Sequence, residues 1–84
     1  MQVSEFEYAV WAVEGIRITV RAPSNMAIGT YNYQNAANEG WRITQLLENR
    51  ILPNVNGHEV VVLQGDGEEP HGRVILRTLR ASYA

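Results

Sequence analysis

The chain has 84 residues, a formal net charge of −2, 45% hydrophobic residues and no cysteine. That size fits one domain with a modest core, and it excludes a disulfide framework and a Cys-based zinc site. No apolar run approaches the roughly 20 residues needed to span a bilayer, the acidic balance offers nucleic acid no long-range attraction, and the acidic start Met1–Val10 is unlike a secretory signal, so a cytoplasmic protein that binds neither membrane nor nucleic acid is expected.

Phe6–Val13 and Ile16–Ala22 are rich in β-branched and aromatic residues, and with Glu14-Gly15 between them they predict a β-hairpin. A two-residue turn sets Val13 opposite Ile16, Trp11 opposite Ile18 and Ala9 opposite Val20, an almost wholly apolar face. The other face would mix Phe6, Tyr8, Val10 and Ala12 with Arg17, Thr19 and Arg21. Pro23 ends the hairpin, because proline has no N–H to donate to a ladder.

From Tyr33 the spacing turns helical: Ala36, Gly40, Ile43, Leu47 and Ile51 fall on one stripe, and Pro53 forbids continuation. Gly40 is weak inside a helix and also fits a shorter helix that stops there, with Trp41–Thr44 opening a strand. After a turn-rich stretch, Glu59–Gln64 and Arg73–Arg80 read as a second hairpin around the loop Gly65–Gly72. The expected fold is therefore α+β: a four-stranded antiparallel sheet in hairpin–helix–hairpin order, with one main helix packed on one face.

One helix covers one face of a sheet, yet both faces are partly apolar. Phe6, Tyr8, Val10, Val60, Val62 and Ile75, with Arg17, Arg21, Arg73 and Arg77 around them, would form an apolar patch rimmed by guanidinium groups. Aromatic residues and arginine are favoured in interfaces, and two-fold homo-oligomers are the commonest assemblies, so the expected partner is a second copy, in a homodimer or a higher homo-oligomer. The function this implies is a small binding or interaction protein, non-enzymatic. The competing reading is a ligand-binding or minor enzymatic pocket between helix and sheet, walled by Trp11, Tyr31, Tyr33 and Trp41 with His58 as a polar anchor.

Chemistry-bearing motifs are sparse. The loop with Asp66, Glu68, Glu69 and His71 holds oxygen and nitrogen donors without the periodicity of a calcium loop, and reads as a solvated hairpin tip. His58-Glu59 has no nucleophile beside it, and no phosphate-binding glycine loop or metalloprotease motif occurs, so no catalytic residue, metal or cofactor is expected. Tyr31-Asn32-Tyr33 reads as an aromatic staple against the core rather than a base-stacking platform.

Ala36–Ile43, with its Glu39-Gly40-Trp41 core, an aromatic first strand and a basic last strand, resembles a group of small uncharacterised bacterial domains with a helix, a Glu-Gly-Trp signature and then strands. The resemblance implies the shorter helix and carries no activity. In general character the chain is similar to orphan proteins of phages and mobile gene cassettes.

Overall fold

A computed structural model describes residues 1–83. The chain runs as α1 (Val3–Glu14), β1 (Arg17–Val20), α2 (Ile43–Leu46), β2 (Val60–Leu63) and α3 (Leu76–Ala81); α2 continues through a wide π turn at Leu47–Ile51 into a 3-10 turn at Leu52–Asn54. The protein is α+β, but its sheet has two antiparallel strands, β1 and β2, so the expected four-stranded sheet is overturned.

Each departure has a local cause. Phe6–Val13 is helix, not strand, because Val3, Phe6, Val10 and Glu14 recur at helical spacing and all four are buried. The Gln2 N–H donates to Glu5 Oε1 (2.9 Å), and Gly15 closes the helix at φ 70°, donating its N–H to the Trp11 carbonyl (2.9 Å). A residue with a Cβ avoids that left-handed conformation, which makes Gly15 a helix stop rather than a hairpin turn.

β1 therefore pairs not with Phe6–Val13 but with β2, in the register Arg17↔Leu63, Ile18↔Val62, Thr19↔Val61, Val20↔Val60. Ile18, Val20 and Val62 face the core, while Arg17, Thr19 and Arg21 are exposed.

Helix does not run from Ala36 to Ile51, and it neither crosses Gly40 nor ends there: it begins at Ile43, after a turn at Glu39-Gly40. Nor is Arg73–Arg80 a strand, because Leu76 and Leu79, three residues apart, are both fully buried on one side of α3. The two short helices cap each other. Ile43 and Thr44 donate to the carbonyls of Val74 (2.9 Å) and Gly72 (3.2 Å), and Leu76 and Arg77 donate to those of Trp41 (2.8 Å) and Glu39 (2.9 Å). First-turn N–H groups have no partner within their own helix, and each helix here takes its acceptors from the segment leading into the other.

Residues 21–42 form a long irregular segment tied down by backbone bonds. Val3 and Ser4 of α1 donate to Met26 (2.9 Å) and Ser24 (3.0 Å), and Gly29 donates to Asn54 (2.8 Å). A Cβ on Gly29 would lie 2.9 Å from the Asn54 carbonyl oxygen, so only glycine permits this approach.

Candidate functional site

The polar centre of the molecule is Glu14, in the last turn of α1, whose side chain is fully buried. Its helical spacing from Phe6 and Val10 puts a carboxylate on the apolar stripe, where it requires partners. Oε1 accepts from the Ala37 N–H (2.8 Å) and from Arg80 (3.1 Å). Oε2 accepts from the Tyr31 hydroxyl (2.5 Å) and from Arg50 (2.7 Å).

Both arginines also bind main chain. Arg50 donates to the Asn35 carbonyl (2.8 Å), and Arg80 donates to the carbonyls of Glu14 (2.7 Å) and Ala37 (3.2 Å). The Arg50 guanidinium lies 4.2 Å from the centre of the Tyr33 ring and 5.8 Å from that of Trp41, in cation–π range. The π turn carries Arg50 into this position from α2, and α3 delivers Arg80.

Burial, reinforced by the Glu14 carboxylate, raises the Tyr31 hydroxyl well above the ordinary tyrosine range. Burial works against the Arg50 charge, but the bond and field of Glu14 outweigh it and raise its pKa. Four donors share the two oxygens of Glu14, so a substrate or ion would find no uncommitted acceptor there. The arrangement is a clamp joining α1, the irregular segment, the π turn and α3.

The sequence-predicted residues are dispersed. Phe6 and Val10 belong to the core and Val62 is 4% exposed, so none of these three contributes to a surface patch. Tyr8 projects from the open side of α1, Val60 and Ile75 are half-buried, and Arg73 is exposed. Arg21 pairs with Glu59 (2.7 Å), and Arg77 lies 3.9 Å from Glu39.

Of the expected pocket, Tyr31, Tyr33 and Trp41 do gather, but around Arg50 rather than around space. Tyr31 packs edge-on against Phe6 (5.4 Å) and tilts against Tyr33 (5.0 Å). Trp11 packs against Tyr83 (5.6 Å) with the Arg17 guanidinium 5.1 Å over its ring. His58 closes a turn by donating its N–H to the Val55 carbonyl (3.0 Å). The described residues enclose no cavity and bring no metal-binding cluster together.

Sequence reasoning placed Glu14 in a turn and left Arg50 and Arg80 out of any site. The readable signal was Glu14 itself, an acid on the buried stripe of an amphipathic helix.

Tyr83 closes the strand pair. Its hydroxyl accepts from the Arg17 N–H (3.0 Å) and donates to the Leu63 carbonyl, standing in the rung that Arg17 and Leu63 would otherwise make directly. Burial raises this hydroxyl's pKa, partly offset by Arg17. No helix among the described residues is long and apolar enough to cross a membrane. No protein-family model matches the chain, no curated protein matches it, and no solved structure matches it.

Proposed function

We propose that the protein is a small interaction module that acts by binding rather than by catalysis, and that it does so as a homo-oligomer. The observation that carries this reading is the open side of α1. Tyr8 is 72% exposed and Trp11 39% exposed, on a stripe with exposed Ser4 and Ala12. Arg17, which has no carboxylate within ion-pair distance among the described residues, lies over Trp11.

Large aromatic side chains beside arginine are the composition that interface centres favour. A tyrosine buries on the order of 150 Å² or more when covered, so leaving Tyr8 in water forgoes much stabilisation. The contact surface is thus the α1 stripe with Arg17, not the sheet face that the sequence predicted. The commonest closed arrangement is a two-fold one, in which the same patch meets itself.

Size exclusion with light scattering on the wild type and on Tyr8→Glu tests this. The wild type should run as a dimer or a multiple of it, and Tyr8→Glu, with an unchanged circular dichroism spectrum, as a smaller species. A wild-type monomer at micromolar concentration would overturn the reading.

A further inference from the structure

Val55-Asn56-Gly57-His58 is a tight turn whose central residues both have positive φ, Asn56 at 53° and Gly57 at 80°. The His58 N–H closes it on the Val55 carbonyl (3.0 Å). This is the type I′ turn, for which Asn-Gly is the favoured pair, because asparagine tolerates the left-handed region and glycine has no Cβ to strain there. Asn56 is the one residue other than glycine with positive φ among the described residues.

An asparagine amide sits one methylene from the main chain, where the next residue's backbone nitrogen reaches it by closing a five-membered ring, one reason asparagine counts as a thermolabile residue. A side chain on that next residue crowds the approach, and glycine removes it. The chain has seven asparagines, and Asn56 alone precedes glycine; the others precede Met26, Tyr33, Ala36, Glu39, Arg50 and Val55. The structure separates them further. The side chains of Asn38, Asn49 and Asn54 are held by hydrogen bonds, to the Gly40 N–H (2.7 Å) and to the carbonyls of Gln45 (2.7 Å) and Arg50 (3.1 Å). Asn56 is exposed, and neither its amide nor the Gly57 N–H makes a hydrogen bond among the described residues. The space beside the Gly57 Cα is open as well.

We infer that Asn56-Gly57 is a site of spontaneous covalent modification, at which the chain rebuilds the turn that leads into β2. The Gly57 nitrogen attacks Asn56 Cγ. The N–Cγ bond forms, the Cγ–Nδ2 bond breaks, and the Gly57 amide proton departs with ammonia, leaving a succinimide. Water then opens the ring. Addition at Cγ breaks the new bond and gives aspartate on the original main chain. Addition at the main-chain carbonyl carbon breaks the peptide bond to Gly57 and gives isoaspartate, whose backbone runs through the side chain and is one methylene longer.

The two products differ in their effect. Aspartate tolerates the left-handed region as asparagine does, so the turn survives with one more negative charge. Isoaspartate enlarges the ring that the His58 N–H closes on Val55, and the I′ geometry is lost. Val55, at the start of the turn, is fully buried. Just beyond its end, Glu59 accepts from the Arg21 N–H (2.8 Å) and pairs with the Arg21 guanidinium (2.7 Å). The added methylene is therefore felt both in the core and where the strand pair begins. None of this depends on whether copies of the chain associate.

The test follows wild type and Asn56→Gly, which keeps the positive φ and lacks the amide, through incubation at physiological temperature and mildly alkaline pH, with peptide mapping by mass spectrometry. Position 56 should gain the mass of an amide turned into an acid before any other asparagine, as two separable products, and faster as pH rises because the attacking nitrogen must lose its proton. Asn56→Gly should stay uniform over the same interval. In urea, Asn56→Asp should unfold close to the wild-type midpoint, and the aged acidic fraction of wild type, isolated by anion exchange, at a lower one. Another asparagine converting first, or position 56 staying intact while the urea-unfolded chain converts there, overturns the site. An aged fraction that unfolds together with Asn56→Asp overturns the coupling of the turn to the core.

Discussion

At the residue scale the structure turns on Glu14. Removing one member of a buried charge cluster strands the others, at a typical cost of about 3–5 kcal/mol. A small domain holds about 5–15 kcal/mol in all. Glu14→Gln should accordingly lower the urea unfolding midpoint by a large fraction of its wild-type value. The combined variant Glu14→Leu, Tyr31→Phe, Arg50→Met, Arg80→Leu should recover part of that loss, because apolar replacement of the cluster's side chains removes their desolvation cost as well as their attraction, while the Ala37 N–H still loses its acceptor. Denaturant titrations by circular dichroism compare the two.

Tyr31 adds a pH dependence. Its folded-state pKa lies above the unfolded value of about 10, so the folded protein keeps the proton that the unfolded chain releases. The resulting stability is fully present below pH 10 and is lost above it, by about 1.4 kcal/mol per pH unit for each such group. Tyr83 is shifted in the same direction. Urea midpoints measured from pH 9 to 11 should fall steeply in the wild type and less steeply in Tyr31→Phe, and identical slopes would show that the Tyr31 proton is not linked to folding.

At the scale of elements, the mutual capping of α2 and α3 makes two short helices behave as one. Isolated helices of this length are unstable in water, and their first-turn amides exchange freely. Here the amides of Ile43, Thr44, Leu76 and Arg77 all have acceptors across the pair. They should be protected to similar degrees, and Leu79→Ala, a core change in α3 alone, should deprotect Ile43 and Thr44 as well. Hydrogen exchange followed by NMR reads each amide separately.

This interdependence also explains what was legible in the sequence. The two strands on either side of the irregular segment were visible as β-branched runs, Ile16–Ala22 and Glu59–Gln64, because their preference is local. Their pairing was not visible, since it depends on Phe6–Val13 leaving the sheet. That stretch satisfies the alternating and the helical pattern at once, and Gly15 decides between them through its φ. α3 escaped notice because its stripe is only Leu76 and Leu79, and its first turn is satisfied by Trp41 and Glu39 rather than by its own sequence. Of the proposed contact surface, Tyr8, Trp11 and Arg17 were singled out for their residue types, but on the wrong scaffold.

At the scale of the whole molecule, the closing contacts join the two ends of the chain. Arg80 reaches Glu14 and Tyr83 reaches Arg17, each across 66 positions of sequence. Deleting residues 80–84 removes both. The shortened chain should lose its cooperative thermal transition and its near-ultraviolet signal from Trp11 while keeping part of the α1 helicity; a sharp melt near the wild-type temperature would show that the core suffices without these ties.

The Tyr83 hydroxyl standing in the last rung between Arg17 and Leu63 bears on how the protein is made. A strand pair is ordinarily complete once its two strands exist, and here one of its rungs is supplied by a side chain 20 residues downstream of Leu63. As the chain is synthesised, β1 and β2 meet before the residue that locks them has been added, and the Glu14 cluster waits for Arg80 over nearly the same interval. The nascent chain thus carries a Glu14 cluster that lacks Arg80 and an unlocked rung between Arg17 and Leu63 until residues 80–83 arrive. These two ties close only once residues 80–83 have been added, so the chain that lacks them is expected to be more exposed than the finished protein to premature pairing between neighbouring chains on one message.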